Sequence, residues 1–173
     1  MIYRRDAALV RSRTFISDAI AIGVGATVVM DVTAELVKRK YGLQPLNLDL
    51  VGRWIGHMPR GTVKHPSIIQ TEPVPYERLL GWAAHYGIGI GFAGMLIAAK
   101  PQWVDNPTFS TAFTAGLMTT AAPWLLMQPA FGIGVAANKL PNPDSARIGS
   151  LRAHASYGVG LYVAAKLWKL LKR

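Results

Sequence analysis

Apolar residues run through this chain in long blocks. Leu79 to Ala99 holds no Asp, Glu, Lys or Arg, and neither does Asn106 to Asn138. A helix needs about 20 predominantly apolar residues to cross ~30 Å of hydrocarbon, so each block is long enough to span a membrane. Two more segments are apolar with charges embedded: Ile16 to Val37 contains Asp31 and Glu35, and Ala146 to Leu171 contains Arg147, Arg152 and Lys166. Charged groups near helix ends in a bundle snorkel or face partners, so both segments are acceptable members. The pattern predicts an all-α fold, an integral membrane four-helix bundle. It is read as a single membrane domain over residues 1–173, with helices at about 16–37, 79–99, 108–137 and 146–171.

The uncharged third stretch exceeds one straight crossing. Pro123 and Pro129 are expected to bend it and to leave Phe131 to Ala137 near the interface. A long loop, residues 41–76, joins the first two helices and is punctuated by Gly42, Pro45, Gly52, Pro59, Gly61, Pro66, Pro73 and Pro75. Its apolar piece LDLVGRWIGHM suggests a short interfacial helix. The other connections, near Gln102 to Pro107 and Pro141 to Asp144, are short.

Composition agrees with lipid exposure: 51% of residues are hydrophobic and 16% charged. The net charge of +10 raises nucleic acid as a partner, but the 19 Lys and Arg cluster between apolar runs and form no basic stripe with interleaved aromatics. They read as anchors at anionic headgroups, with membrane lipid as the partner and no nucleic acid. Without cysteine there is no disulfide, iron–sulfur cluster or thiolate zinc site, so a metal would need His and carboxylate. The N-terminal MIYRRDAALVRSR has the charge layout of a secretory signal, yet the apolar run continues into Asp31 with no small-x-small cleavage site, which favours a retained helix. Lys and Arg divide nine to ten between the two faces and decide no orientation. Cytoplasmic termini are preferred because the first helix usually dominates.

An internal match links the second and fourth segments. RLLGWAAHYGIGIGF (Arg78 to Phe92) and RIGSLRAHASYGVGL (Arg147 to Leu161) superpose at an offset of 69, aligning Arg78 with Arg147, His85 with His154, Gly89 with Gly158 and Gly91 with Gly160. A weaker match at an offset of 97 sets VVMD on LLMQ and Asp31 opposite Gln128. The reading is a helical hairpin duplicated in tandem, with Asp31, His85, Gln128 and His154 converging at equal depth beneath the long loop. Chance similarity between Ala/Gly-rich helices is the competing account.

An ionisable group in hydrocarbon is costly, so Asp31 predicts a partner among His85, His154, Gln128 and Thr33. A buried hydrogen-bond network that fixes helix register needs no ligand at all. Gly81 and Gly89 flank His85 at four residues, as Ser150 and Gly158 flank His154, which clears space beside each ring. Helix packing uses such space, as would a small-xxx-small pair like Gly87 and Gly91. A b-type haem held by the two histidines would use it too, with Asp31 accepting from one of them. A non-haem metal on Asp31, His85 and His154 is a further alternative, and the sequence commits to no cofactor. Glu35 shares a face with Asp31, either as an acidic pair that moves protons or as a solvated charge beside Lys38 and Arg39. In the loop, Arg53, His57, Arg60 and Lys64, with His65 and Trp54, offer contacts to an anionic headgroup or substrate. No nucleophile, base and orienting group form a catalytic pattern there.

The pieces VGRWIGHMPRG, ERLLGWAAHYGIGIGF, LLMQPAFGIGVA and LRAHASYGVGLY resemble the bacterial membrane family called domain of unknown function 2938, over nearly the whole chain apart from the tails. The resemblance implies a multi-pass protein of the bacterial inner membrane and carries no activity to any position. The favoured function is non-catalytic: an accessory or structural subunit that packs through Gly-rich helix faces against other membrane subunits or itself. The alternatives are a cofactor-bearing or proton-linked protein using His85 and His154, and a membrane enzyme or transporter for an anionic lipid-like substrate.

Overall fold

The computed structural model describes residues 2–172, with side chains described from Thr14 to Lys172. The charges of Arg4, Arg5, Arg11 and Arg13 therefore lie outside the described side chains. Among the described residues all regular structure is helical. The helices are α1 (Ile2–Tyr41), α2 (Leu48–His57), α3 (Glu77–Ala99), α4 (Phe109–Met118), the three-residue α5 (Gln128–Ala130) and α6 (Pro143–Leu171). α1 and α3 are long and apolar enough to cross a membrane.

α1 lies between α3 and α6, α4 packs on the far side of α6, and α2 lies across α3. Small residues decide these contacts. A Cβ at Gly23 would meet the backbone of Ile90, one at Gly116 the backbone of Gly158, and one at Gly160 the backbone of Ala26. Helices that touch backbone to backbone gain dispersion contacts along their length, which is how membrane helices associate without a hydrophobic drive. Ala19, Ile22, Ala26, Ala93, Ala165 and Leu161 fill the seam. Tyr157 adds a hydrogen bond from its hydroxyl to the Gly89 carbonyl, 2.6 Å away.

The third apolar stretch is not one helix over 108–137. α4 stops at Met118, where the Thr119 hydroxyl turns back onto the Gly116 carbonyl at 2.6 Å. Pro123 has no N–H to give, and its ring crowds the preceding turn. The chain widens there into a π-helical turn (Pro123–Met127), in which the Gln128 N–H reaches the Pro123 carbonyl. The α-helix ends at Ala130, and the residues to Asn142 form turns around a short 3-10 helix (Val135–Ala137). Gly132 starts them at φ +87°, pressed against the Pro66 carbonyl, where a Cβ would be both strained and crowded.

The long loop is ordered, and α2 occupies its expected apolar piece. Asn47 caps α2 by accepting from the Asp49 N–H at 2.9 Å. Residues 65–68 are strapped to the broken segment by His65 N–H to Ala130 O (2.8 Å) and Ile68 N–H to Phe131 O (3.1 Å). Val51, Ile68 and Phe131 form a second apolar cluster with Trp54, Met127 and Ala84. This cap thus rests on the turn of α3 that carries His85.

Candidate functional site

Beneath the cap α1 and α3 bring three polar side chains together. Asp31 Oδ1 lies 2.8 Å from His85 Nε2, and Asp31 Oδ2 accepts from the Tyr86 hydroxyl at 3.0 Å. Both carboxylate oxygens are thereby satisfied while the side chains stay 17% (His85) and 27% (Asp31) exposed. His154 stands on α6. Its Nδ1 is 2.7 Å from Thr119 Oγ1. The Thr119 proton is already given to Gly116 O, so the hydroxyl oxygen accepts from His154 Nδ1–H, and His154 Nε2 is left as an acceptor.

Gln128 makes no hydrogen bond with Asp31. It is buried, and its Nε2 donates to Ser150 Oγ at 3.5 Å. The match at an offset of 97 sets these residues on a regular helix, whereas α4 ends at Met118 and a π-helical turn precedes Gln128. Thr33 does not serve Asp31 either, since its hydroxyl donates to Val29 O at 2.7 Å. Glu35 pairs with Arg39 at 2.7 Å on the exposed end of α1, the solvated alternative and not an acidic pair with Asp31.

The basic loop separates into inward and outward groups. Arg53 is a structural clamp: its guanidinium makes two 3.0 Å bonds to Glu77 and donates to the carbonyls of Ile68, Ile69 and Thr71. All three guanidinium nitrogens are thus engaged within the fold. His57 Nε2 donates to Glu72 O at 3.0 Å, and its ring meets that of His65 edge-on. Arg60 and Lys64 are exposed. Arg60 edges a cleft of about 310 Å³ walled by Ile55, Pro59, Val74 and Leu80. His65 is buried, and that burial, with His57 nearby, holds its imidazole below the ordinary value.

A family model described as "Protein of unknown function (DUF2938)" matches residues 20–168. The chain belongs to this family. No curated protein and no solved structure matches it. In this DUF2938 protein the match takes in the whole polar centre, the cap and the broken third segment, and leaves out Lys169 and Lys172.

The DUF2938 centre does not fit a porphyrin. The glycines that would give a ring plane room are already filled by neighbours: Gly81 by the backbone of Leu48 and Gly52, Gly89 by the Thr27 side chain and the Gly23 carbonyl, and Gly158 by the backbone of Phe113. Among the described residues no three His, Cys, Asp or Glu side chains are grouped to hold a metal, so Asp31, His85 and His154 do not converge as ligands. Sequence reasoning missed Tyr86 and Thr119, the partners that satisfy Asp31 and His154. It also missed Asp18, buried on α1, which accepts from Trp168 Nε1 at 2.7 Å and pairs with Lys172 across the far end of α6. The available signal was an acid in an otherwise apolar block, the same signal that drew attention to Asp31.

Proposed function

We propose that this protein is a multi-pass component of the bacterial inner membrane, crossing it with α1, α3, the segment from α4 to α5, and α6. In this reading both termini are cytoplasmic, and the protein serves as an accessory or structural subunit that packs against another membrane protein. The observation that carries the reading is the exposure of large apolar side chains. Ile16, Ile20, Val28, Val32 and Leu36 of α1 all lie on the surface, while Ala19, Ala26, Ala93, Ala112, Ala164 and Ala165 share the interior with Ile22, Leu161 and Tyr157. A water-soluble fold puts its large apolar groups inside, and exposed apolar surface of this extent marks contact with lipid or protein. The outward face of α3 adds the subunit role. Ala83, Gly87 and Gly91 are exposed one turn apart, and a Cβ at Gly87 or Gly91 would meet nothing within 4 Å. The buried glycines of the same helix are consumed by neighbours, so these two leave a shallow track for another helix.

With no native cysteine, single-cysteine variants report contacts cleanly. Gly91→Cys expressed in native membranes should cross-link to a second polypeptide, while Ile20→Cys on the outward face of α1 should not. Gly91→Leu should shift the purified assembly in mild detergent to the mass of a single chain. If the wild-type protein runs as a stable monomer in mild detergent with nothing co-purifying, the subunit role is wrong. The membrane assignment falls separately if the protein is released from membranes by alkaline carbonate.

A second reading, proton linkage, is favoured by one observation: Asp31 hydrogen-bonds His85 inside a helix long enough to span, where an ionisable pair is costly. Asp31→Asn retains the shape and removes the titration. In this reading it abolishes proton-coupled activity while leaving the folded fraction unchanged.

A further inference from the structure

Thr120 Oγ1, Trp124 Nε1 and Gln128 Oε1 are fully shielded from solvent and find no hydrogen-bond partner among the described residues. Thr120 and Gln128 are only 3% and 5% exposed. The three residues are four apart, and the Trp124 N–H to Thr120 O bond (3.2 Å) keeps them on successive turns of one face. Such orphans are rare because each costs the full desolvation of a polar group, and three on one face call for a common explanation. They also fall where the third apolar segment leaves the regular helix, between the end of α4 and the π-helical turn at Pro123. Broken helices at membrane depth are tolerated where they line a polar cavity, and π-turns recur at functional sites.

We propose that this break is a buried binding site for a small uncharged molecule that both donates and accepts hydrogen bonds, with water as its occupant. The donor inventory sets the class. Trp124 Nε1 can only donate. Gln128 turns its amide nitrogen to Ser150, whose own proton goes to Ala146 O, so Gln128 presents its carbonyl and can only accept. Thr120 does both. An anion would leave the Gln128 carbonyl unserved, and a cation would leave the Trp124 N–H unserved. No charged residue lies between Asn106 and Asn138 to balance either. Water fits because it needs two to four polar partners in a small space, and the segment supplies three. Across the contact, α6 carries Ser150 and His154 one turn apart, so bound water extends the polar centre from His154 into the break.

The test uses full-length protein with nitrogen-15 tryptophan in detergent micelles. Five indole signals are expected, and Trp124→Phe identifies one of them. The Trp124 indole proton should show a magnetisation-transfer peak to water, and Thr120→Val should weaken that peak while the other four signals stay in place. Thr120→Val is nearly isosteric and removes one water-bonded hydroxyl, so the unfolding midpoint should fall by about 2–4 °C. In a dry site the same substitution removes an unpaired hydroxyl and leaves the midpoint equal or higher. Absence of the water peak, a peak insensitive to Thr120→Val, or a midpoint at or above wild type overturns the proposal.

Discussion

Asp31 is the residue on which α1 and α3 agree, because each of its oxygens is claimed by a different side chain of α3. Hydrogen bonds between membrane helices contribute on average ~0.6 kcal/mol and at most ~1.7, so Asp31→Ala should cost about 1–2 kcal/mol and Tyr86→Phe about half of that. Unfolding by denaturing detergent measures both. A Tyr86→Phe variant less stable than Asp31→Ala would mean that the tyrosine acts elsewhere. His65 gives a pH prediction outside the apolar helices. Its folded-state pKa is depressed by burial, so as pH falls through about 6.5 the unfolded chain takes up a proton that the folded chain refuses. The strap between the loop and Ala130 should therefore loosen on acidification, down to the lower folded pKa, and become insensitive to pH below it. The protection factors of the His65 and Ile68 amides, which allow for the slower intrinsic exchange in acid, should fall between pH 7 and pH 5, and His65→Gln should abolish that dependence. At this scale the sequence made Asp31, His85 and His154 conspicuous as polar groups in apolar runs. It could not name Tyr86 or Thr119, because a hydroxyl's partner depends on which helix faces which.

Elements are held by tight glycine crossings and by charged pairs, of which the Arg53 clamp makes the most bonds. Gly116 meets Gly158 where α4 crosses α6, and a side chain there would force the helices apart. Overpacking of this sort costs about 1–3 kcal/mol, so Gly116→Ala should be clearly destabilised, whereas Gly87→Ala on the open face should match wild type. A thermal melt of the two variants side by side checks the contrast. Arg53 ties α2 to α3 and to three loop carbonyls from a side chain 12% exposed. Arg53→Ala unpairs Glu77 and should cost about 2–3 kcal/mol, and Arg53→Lys should recover only part, since an ammonium cannot reproduce the fork. Protease sensitivity confined to residues 58–76 is the readout. The boundaries of α3 and α6 were legible within a few residues, because an uncharged apolar run and the Pro143 start are local signals. The third segment was not, since an apolar run says nothing about whether the backbone within it stays helical. Pro123 signalled a bend, but a π-turn and a helix ending at Met118 depend on Thr119 finding Gly116 O and His154.

For the molecule as a whole, the many exposed large apolar side chains predict that detergent-free solution is a poor environment. Removing detergent below its micelle-forming concentration should aggregate the protein, and reconstitution into lipid discs should restore a monodisperse species of unchanged helicity. Size-exclusion chromatography and circular dichroism follow the two steps. Length and apolar content sufficed for an all-helical chain with helices able to span a bilayer, because hydrocarbon thickness sets a length that sequence displays directly. The cap helix α2 was equally readable from the apolar piece between Pro45 and Pro59. Tertiary structure alone decided that α1 lies between α3 and α6, that Arg53 turns inward while Arg60 and Lys64 stay outside, and that Gln128 meets Ser150 rather than Asp31. Those outcomes depend on the rotation of each helix about its axis and on where one segment breaks, which arise from contacts between residues as distant as Asp18 and Trp168. Local composition carries no record of such contacts.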